Sequence, residues 1–246
     1  MEIQKRIENY WQGEVARYSE HIWKEMNSFK KKAWETLIDT YRPQGESLKA
    51  LDIGTGPGFF AMVLSGMGHR VTGIDCTGAM LEEAQRNMQT VGLTGEFYLR
   101  DSHDPGFEPE TFDLVICRDL TWTLRDPQAA YREWYRVLKP QGRLLIFDSN
   151  WNLRFHDPIM KKRYQEDQER AVRMGIEPTF EAEESQNISR ELFFSTRFRP
   201  QWDASALMEI GFKRLWFDLD ISEQVWNKEE RVLYRSTPVF LICAEK

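Results

Sequence analysis

Three cysteines in 246 residues, none close to another in sequence, leave neither a disulfide framework nor a metal-ligand spacing. Long apolar runs are missing too. Nothing approaches the roughly 20 residues that cross a bilayer, and the polar opening, Met1 to Arg6, has no apolar signal segment behind it. A cytoplasmic chain without a membrane span is expected. Positive charge is in deficit: the formal net charge of -6 argues against the broad basic face that grips nucleic acid. The local runs Lys30-Lys31-Lys32 and Lys161-Lys162-Arg163 read as solvated helix faces. Internal repeats and low-complexity tracts are also lacking. What remains is a chain able to form one sizeable domain, or one domain with a modest cap.

The first 42 residues carry apolar and aromatic side chains in steps of three and four, from Ile7, Tyr10 and Trp11 through Tyr18 and Ile22 to Trp34 and Ile38. That stripe predicts a helical segment, ended by Arg42-Pro43-Gln44-Gly45. Short apolar runs then alternate with helical ones. Strands are expected at Leu48 to Ile53, Val71 to Asp75, Glu96 to Arg100, Phe112 to Cys117 and Arg143 to Asp148, with helices over Phe59 to Gly66, Ala79 to Thr90 and Asp126 to Leu138. Such alternation implies βαβ units, a parallel sheet, and ligand binding at the strands' carboxyl edge. Residues 151–200 break the rhythm, with a charged helix over Pro158 to Met174 and an acidic, poorly patterned stretch whose 181–186 has the composition of disorder. This segment reads as an insertion over the ligand edge. A helix at Asp203 to Ile210 and strands at Lys213 to Asp220 and Val239 to Ala244 complete the chain. The domain reading is therefore 1–42 as a helical cover, 43–150 as the core, 151–200 as the cap, and 201–246 as the completion of the core sheet.

The chemistry concentrates in Asp52-Ile53-Gly54-Thr55-Gly56-Pro57-Gly58. Alternate glycines let the backbone turn sharply from strand to helix and bring a ligand close to main-chain N–H groups. A glycine loop alone is weak evidence. The spacing differs from G-x-G-x-x-G, however, and an acid stands two residues before the first glycine. A pyrophosphate at that helix N-terminus disfavours such a carboxylate, whereas an ammonium group favours it. Asp75, at the tip of the second strand, is placed to accept from both ribose hydroxyls of a nucleoside; its structural alternative is a cap on the next helix. Asp101 and Ser102 follow the third strand, where a carboxylate meets an exocyclic adenine amine and a backbone N–H meets a ring nitrogen. Met80 fits an adenine face or the core equally well. Cys76, next to Asp75, is a pocket-lining candidate. Cys117 and Cys243 sit in strand-like runs and read as core.

Leu51 to Ala61 (LDIGTGPGFFA), Val71 to Gln85 (VTGIDCTGAMLEEAQ), Thr111 to Asp119 (TFDLVICRD) and Ala130 to Asp148 (AYREWYRVLKPQGRLLIFD) together resemble class I S-adenosylmethionine-dependent methyltransferases. The closest likeness is to the type 11 subgroup that includes ubiquinone and menaquinone biosynthesis enzymes. The resemblance implies a Rossmann-like α/β fold, doubly wound, with a seven-stranded and mainly parallel sheet whose last strand is antiparallel. It implies S-adenosyl-L-methionine as cofactor and S-adenosyl-L-homocysteine as product. It assigns the methionine and ribose portions to Gly54, Thr55, Gly56 and Gly58, the ribose to Asp75, the adenine to Asp101 and Ser102, and the amino-acid end to the backbone near Arg118, with Asp52 near the ammonium. Two departures stand out: Gln141-Gly142 replaces a usual glycine pair, and Arg118 to Leu124 lacks the histidines that many relatives carry there.

The acceptor side is less defined. Transfer of a sulfonium methyl demands alignment and exclusion of water, and a base only when the acceptor must lose a proton early. Tyr18 is a candidate for touching the cofactor from the N-terminal segment. Tyr10, Trp11, Trp122, Asn150 and Trp151 are candidates for the acceptor pocket, with core packing as the alternative for the tryptophans. His156 is the best-placed potential base, although a lone histidine is more often structural. Arg197 and Arg199 suit an anionic acceptor, with ion pairing inside the cap the favoured alternative. The expected activity is methyl transfer to a small molecule. A nicotinamide-dependent oxidoreductase and a cofactor-binding module without catalysis are the competing readings.

Overall fold

Leu144 and Ile146 of strand β5 (Leu138–Asp148) pack into one hydrophobic layer, while Leu145 and Phe147 pack into another. This period of two gives a strand two buried faces. Both are covered in the computed structural model, which describes residues 2–179 and 182–246. Strands β1 (Lys49–Ile53), β2 (Arg70–Asp75), β3 (Glu96–Leu99), β4 (Phe112–Arg118), β5, β6 (Arg214–Asp218) and β7 (Phe240–Glu245) form one seven-stranded sheet in the order β3-β2-β1-β4-β5-β7-β6. Pairings among β1 to β5 are parallel, and β7 runs antiparallel to both its neighbours. The fold is Rossmann-like. Strand order reverses between β1 and β4, which opens a crevice at their carboxyl ends.

Helices α2 (Phe29–Tyr41), α3 (Phe59–Gly66) and α4 (Gly78–Thr90) cover one face, together with the short α9 (Ser222–Val225). Helices α5 (Pro127–Val137) and α8 (Gln201–Ile210) cover the other, where Tyr131, Trp134 and Leu207 are fully buried. Cys117 and Cys243 are core residues. Among the described residues, no helix is long and apolar enough to cross a membrane.

Several elements depart from the sequence expectation. The N-terminal segment is two helices: α1 (Ile3–Met26) stops at Asn27, and Ser28 Oγ accepts from the Lys30 N–H at 3.2 Å to start α2. A polar seam docks α1 onto α4, with Ser19 Oγ donating to Glu83 at 2.6 Å and the Trp23 indole donating to Asn87 at 2.9 Å. The acidic stretch after α6 (Pro158–Arg173) folds as α7 (Glu183–Glu191); Glu181 lies outside the described residues. Two glutamates in its first turn suit a helix N-terminus. Ile188 and Leu192 pack on Ile7, and Arg6 pairs with Glu184 and Glu191, so α7 is ordered by α1 rather than by its own pattern. Strand β5 begins at Leu138, ahead of Arg143, because Leu138 pairs with Phe112 across an irregular register. The turn within it places Gln141 at φ +65°. Helix α10 (Lys228–Leu233), opened by an Asn227–Glu230 capping box, and α9 were not anticipated.

Candidate functional site

Asp75 ends β2, mostly buried at the edge of the crevice. Its Oδ2 accepts from the Gly56 N–H at 3.0 Å and its Oδ1 from the Thr77 N–H at 2.9 Å, which fixes the carboxylate and ties it to the glycine turn. Burial raises its pKa against those backbone hydrogen bonds. Gly54 and Gly56 hold φ of +66° and +53°; a Cβ on Gly54 would meet Leu120 Cδ1 at 2.6 Å, and one on Gly56 would face Tyr18 at 3.4 Å. Only glycine leaves this turn bare and relaxed. The cleft it borders has a volume of about 750 Å³ and is lined further by Cys76, Met80, Asp101, Ser102, Arg118 and Tyr18.

Three expected cofactor residues lie outside that cleft's lining, two of them, Asp52 and Thr55, on a small pocket shared with Gly54, Tyr18 and Arg118. Asp52 is buried beneath the loop and accepts the Thr55 hydroxyl at 2.6 Å, so both shape the turn from below the cleft. Burial pushes Asp52 up to about 7, despite the Thr55 hydrogen bond and the Arg118 charge. Gly58 is a packing glycine: a Cβ there would lie 3.1 Å from Ala84 on α4. The Asp101 carboxylate is already engaged, accepting from the His103 N–H at 2.9 Å, from the His103 ring at 2.7 Å and from Arg125. Burial opposes ionisation of Asp101, yet His103 and Arg125 together hold its pKa well below the usual range. The loop is clipped where the Trp134 indole donates to the Ser102 carbonyl at 2.8 Å.

A second cavity of about 1330 Å³ adjoins the first, and Trp11, Tyr18, Arg118 and Asp119 border both. Trp122 and Trp151 line it, joined by Trp226 and Tyr234, whose rings lie 6.3 and 5.5 Å from Trp151. Its charges are largely paired internally. Glu25 takes Lys30 at 2.9 Å and Arg118 at 2.8 Å, and Lys30 also takes Glu230 at 2.5 Å. Burial opposes the ionised Glu25, but Arg118 and Lys30 dominate and hold it at about 2. The Arg118 guanidinium also lies 4.2 Å from the Phe59 ring centroid. Tyr18, its hydroxyl pushed up to about 12 by burial, stands beside it.

The structure removes five acceptor candidates from this cavity. Tyr10 packs edge-on against Trp11 in a satellite core with Ile7, Ile188 and Leu192. Asn150 is spent on the Arg199 backbone, donating to its carbonyl at 2.9 Å and accepting its N–H at 3.0 Å. Arg199 is fully buried; it pairs with Asp148 at 2.9 Å and Asp203 at 2.7 Å, and so fastens the end of the insertion to β5 and α8. Arg197 is exposed and lies over the Phe193 ring at 3.9 Å. His156 is bonded to the Arg190 carbonyl at 3.0 Å outside the cavity. Conversely, the sequence reading passed over Asp119, Glu25 and Trp34 and took Lys30 for a solvated face, whereas it is buried against Glu25 and Glu230. Asp119 had a signal, being the residue after a strand's carboxyl end; the others had none, since they line the cavity only once α1 and α2 fold back over the sheet.

The family model that describes a methyltransferase domain matches residues 51–146. That segment is similar to a methyltransferase domain and makes up less than half of the chain. A ubiquinone biosynthesis O-methyltransferase from Thiobacillus denitrificans is 30% identical over 148 residues, covering 56% of this chain and 63% of that one. Its namesake from Pseudomonas savastanoi pv. phaseolicola is 33% identical over 105 residues, covering 42% of this chain and 45% of that one. The match thus spans less than two thirds of either relative. Among solved structures, phosphoethanolamine N-methyltransferase 2 of Haemonchus contortus in complex with S-adenosyl-L-methionine superposes with a TM-score of 0.60 at 18% identity, over 87% of this chain and 52% of that one. A SAM-dependent methyltransferase from Methanosarcina mazei does so at 0.58 and 23% identity, over 85% and 96%. These two show the fold.

Proposed function

We propose that this protein transfers the methyl group of S-adenosyl-L-methionine, bound in the first cavity, to a small molecule held in the second, releasing S-adenosyl-L-homocysteine. The observation that carries this reading is the wall of four residues common to both cavities. A group bound on one side lies against an occupant of the other, the arrangement that in-line displacement needs. Asp75 holds the ribose hydroxyls with the lone pairs its two backbone contacts leave free, Met80 packs against the adenine, and the bare turn at Gly54 and Gly56 accepts the sulfur-bearing chain. Asp52 acts on the ammonium end from below the loop, through the turn or through water. The cofactor supplies an electrophilic carbon with a neutral leaving group; the chain aligns the acceptor and excludes water. In this scheme 43–150 with 201–246 is the cofactor core, 1–42 covers it, and 151–200 caps the acceptor side.

The aromatic wall suits a ring-bearing acceptor. A net charge of -6 favours a small molecule over nucleic acid. Calorimetry with S-adenosylmethionine, S-adenosylhomocysteine and NAD tests the reading: the two sulfur compounds bind and NAD does not. Absence of affinity for both refutes it.

A further inference from the structure

Asp119 is the first residue beyond β4, at the point where strand order reverses. Its backbone is held at φ +51°, a region costly for any residue with a Cβ and least so for Asn and Asp. Two contacts impose this: its N–H donates to the Phe147 carbonyl at 2.9 Å, and its own carbonyl accepts the Trp122 indole N–H at 2.9 Å. The outcome is a carboxyl group on the wall shared by the two cavities. About a third of its side chain (38%) faces open cavity, and an occupant would cover it. Charged and titratable neighbours come from every side: Arg118 at 3.9 Å on β4, Tyr18, His21 and Glu25 on α1, Lys30 on α2, Asp148 on β5, and Glu230 on α10, with Arg154 across the second cavity. Burial, aided by Asp148 and Glu25, outweighs Arg118 and a hydrogen bond from the Trp151 side chain and pushes the carboxyl up to about 7, the range in which a group takes up a proton and returns it at neutral pH. The nearby acids are otherwise committed, Glu25 to Lys30 and Arg118, and Asp148 to Arg199, Thr121 and two backbone N–H groups.

We infer that Asp119 is the general base of the transfer and that the acceptor is a protic, ring-bearing small molecule whose nucleophilic atom is an O–H or N–H. This rests on the methyl-transfer reading above. The step balances. The acceptor's lone pair forms the new bond to carbon as the carbon–sulfur bond breaks, the released pair stays on sulfur as a thioether, and the acceptor's proton moves to the Asp119 carboxylate and then to solvent.

The test is Asp119→Asn, a change the left-handed backbone tolerates, assayed with labelled S-adenosylmethionine against catechol, phenethylamine, 4-hydroxybenzoate and, as a nucleophile with no proton, iodide. We expect the wild type to methylate at least one ring-bearing probe, with kcat rising tenfold per pH unit up to about 7 and flat above. In the variant that rate falls at least about 100-fold and the rise disappears, while transfer to iodide persists and S-adenosylhomocysteine affinity stays within twofold. A variant that keeps the rate and the pH profile overturns the proposal. So does a wild type that methylates iodide and none of the protic probes, and so does a variant that loses iodide transfer equally. A wild type that binds neither sulfur compound overturns the methyl-transfer reading instead.

Discussion

Replacing Asp75 with alanine separates cofactor binding from folding. The carboxylate spends one lone pair per oxygen on the Gly56 and Thr77 N–H groups and has one per oxygen left for a ribose hydroxyl. A hydrogen bond to a charged group contributes roughly 1.5–3 kcal/mol, so two lost together amount to about 3 kcal/mol at the low end. That is a weakening of roughly 100-fold or more in Kd. Asp75→Asn keeps one acceptor oxygen and should fall between wild type and alanine. Stability should fall by about 1–3 kcal/mol, because alanine removes the acceptor of the Gly56 and Thr77 N–H groups. Titration calorimetry with S-adenosylhomocysteine, paired with a thermal scan of each variant, reads both quantities. Full affinity in a folded Asp75→Ala protein would show that the ribose lies elsewhere; an asparagine variant as weak as alanine would show that geometry, not acceptor count, governs the site.

Three further outcomes follow from the same geometry. Gly54→Ala forces a Cβ to 2.6 Å from Leu120 at φ +66°, so cofactor affinity should drop at least about tenfold, with about 1–3 kcal/mol of strain; unchanged binding by calorimetry counts against the turn as the cradle. Arg199→Met leaves Asp148 and Asp203 buried without their cation, a loss of about 3–5 kcal/mol. At about 2–4 °C per kcal/mol for a chain of this size, Tm should fall by roughly 10 °C, and a shift under about 2 °C by calorimetric scan refutes the fastening role. Asp52 has a folded pKa of about 7 against 3.8 for a freely solvated aspartate, so it favours the folded state most below pH 4 and that favour is lost as pH rises through 7. The full shift corresponds to on the order of 4 kcal/mol; urea titrations at pH 5 and pH 8 should show a smaller pH effect in Asp52→Asn than in the wild type, and parallel curves would contradict it.

The cofactor half was legible because its parts are local. Asp52, the glycines and Asp75 fall at the ends of adjacent strands, β1 and β2, and strand ends can be read from apolar runs broken by glycine. Even there, sequence showed which residues reach the crevice edge but not which way each carboxylate is already spent. Asp101 is claimed by His103 and Arg125, and Asp52 by Thr55, through contacts decided by loop conformation. Arg199 shows the reverse case. Its partner Asp203 stands four residues on, a spacing visible in the chain that favours ion pairing over a ligand role.

The acceptor half was opaque for a topological reason. Its wall draws on α1, the end of β4, the residues after β5, α6 and the α9–α10 segment, which are distant in sequence and share no period. Helix α1 carries the consequence furthest. Trp11 and Tyr18 touch both cavities, whereas Glu25, two turns beyond Tyr18, holds Arg118 in place through an ion pair and gives Lys30 its partner. A single helix therefore borders both cavities and neutralises the cation beside Asp119. With Glu25 taking Lys30 at 2.9 Å and Arg118 at 2.8 Å, Arg118 stands 3.9 Å from Asp119 and burial outweighs it, so in the proposed transfer the proton exchange of Asp119 depends on a residue that borders only the second cavity.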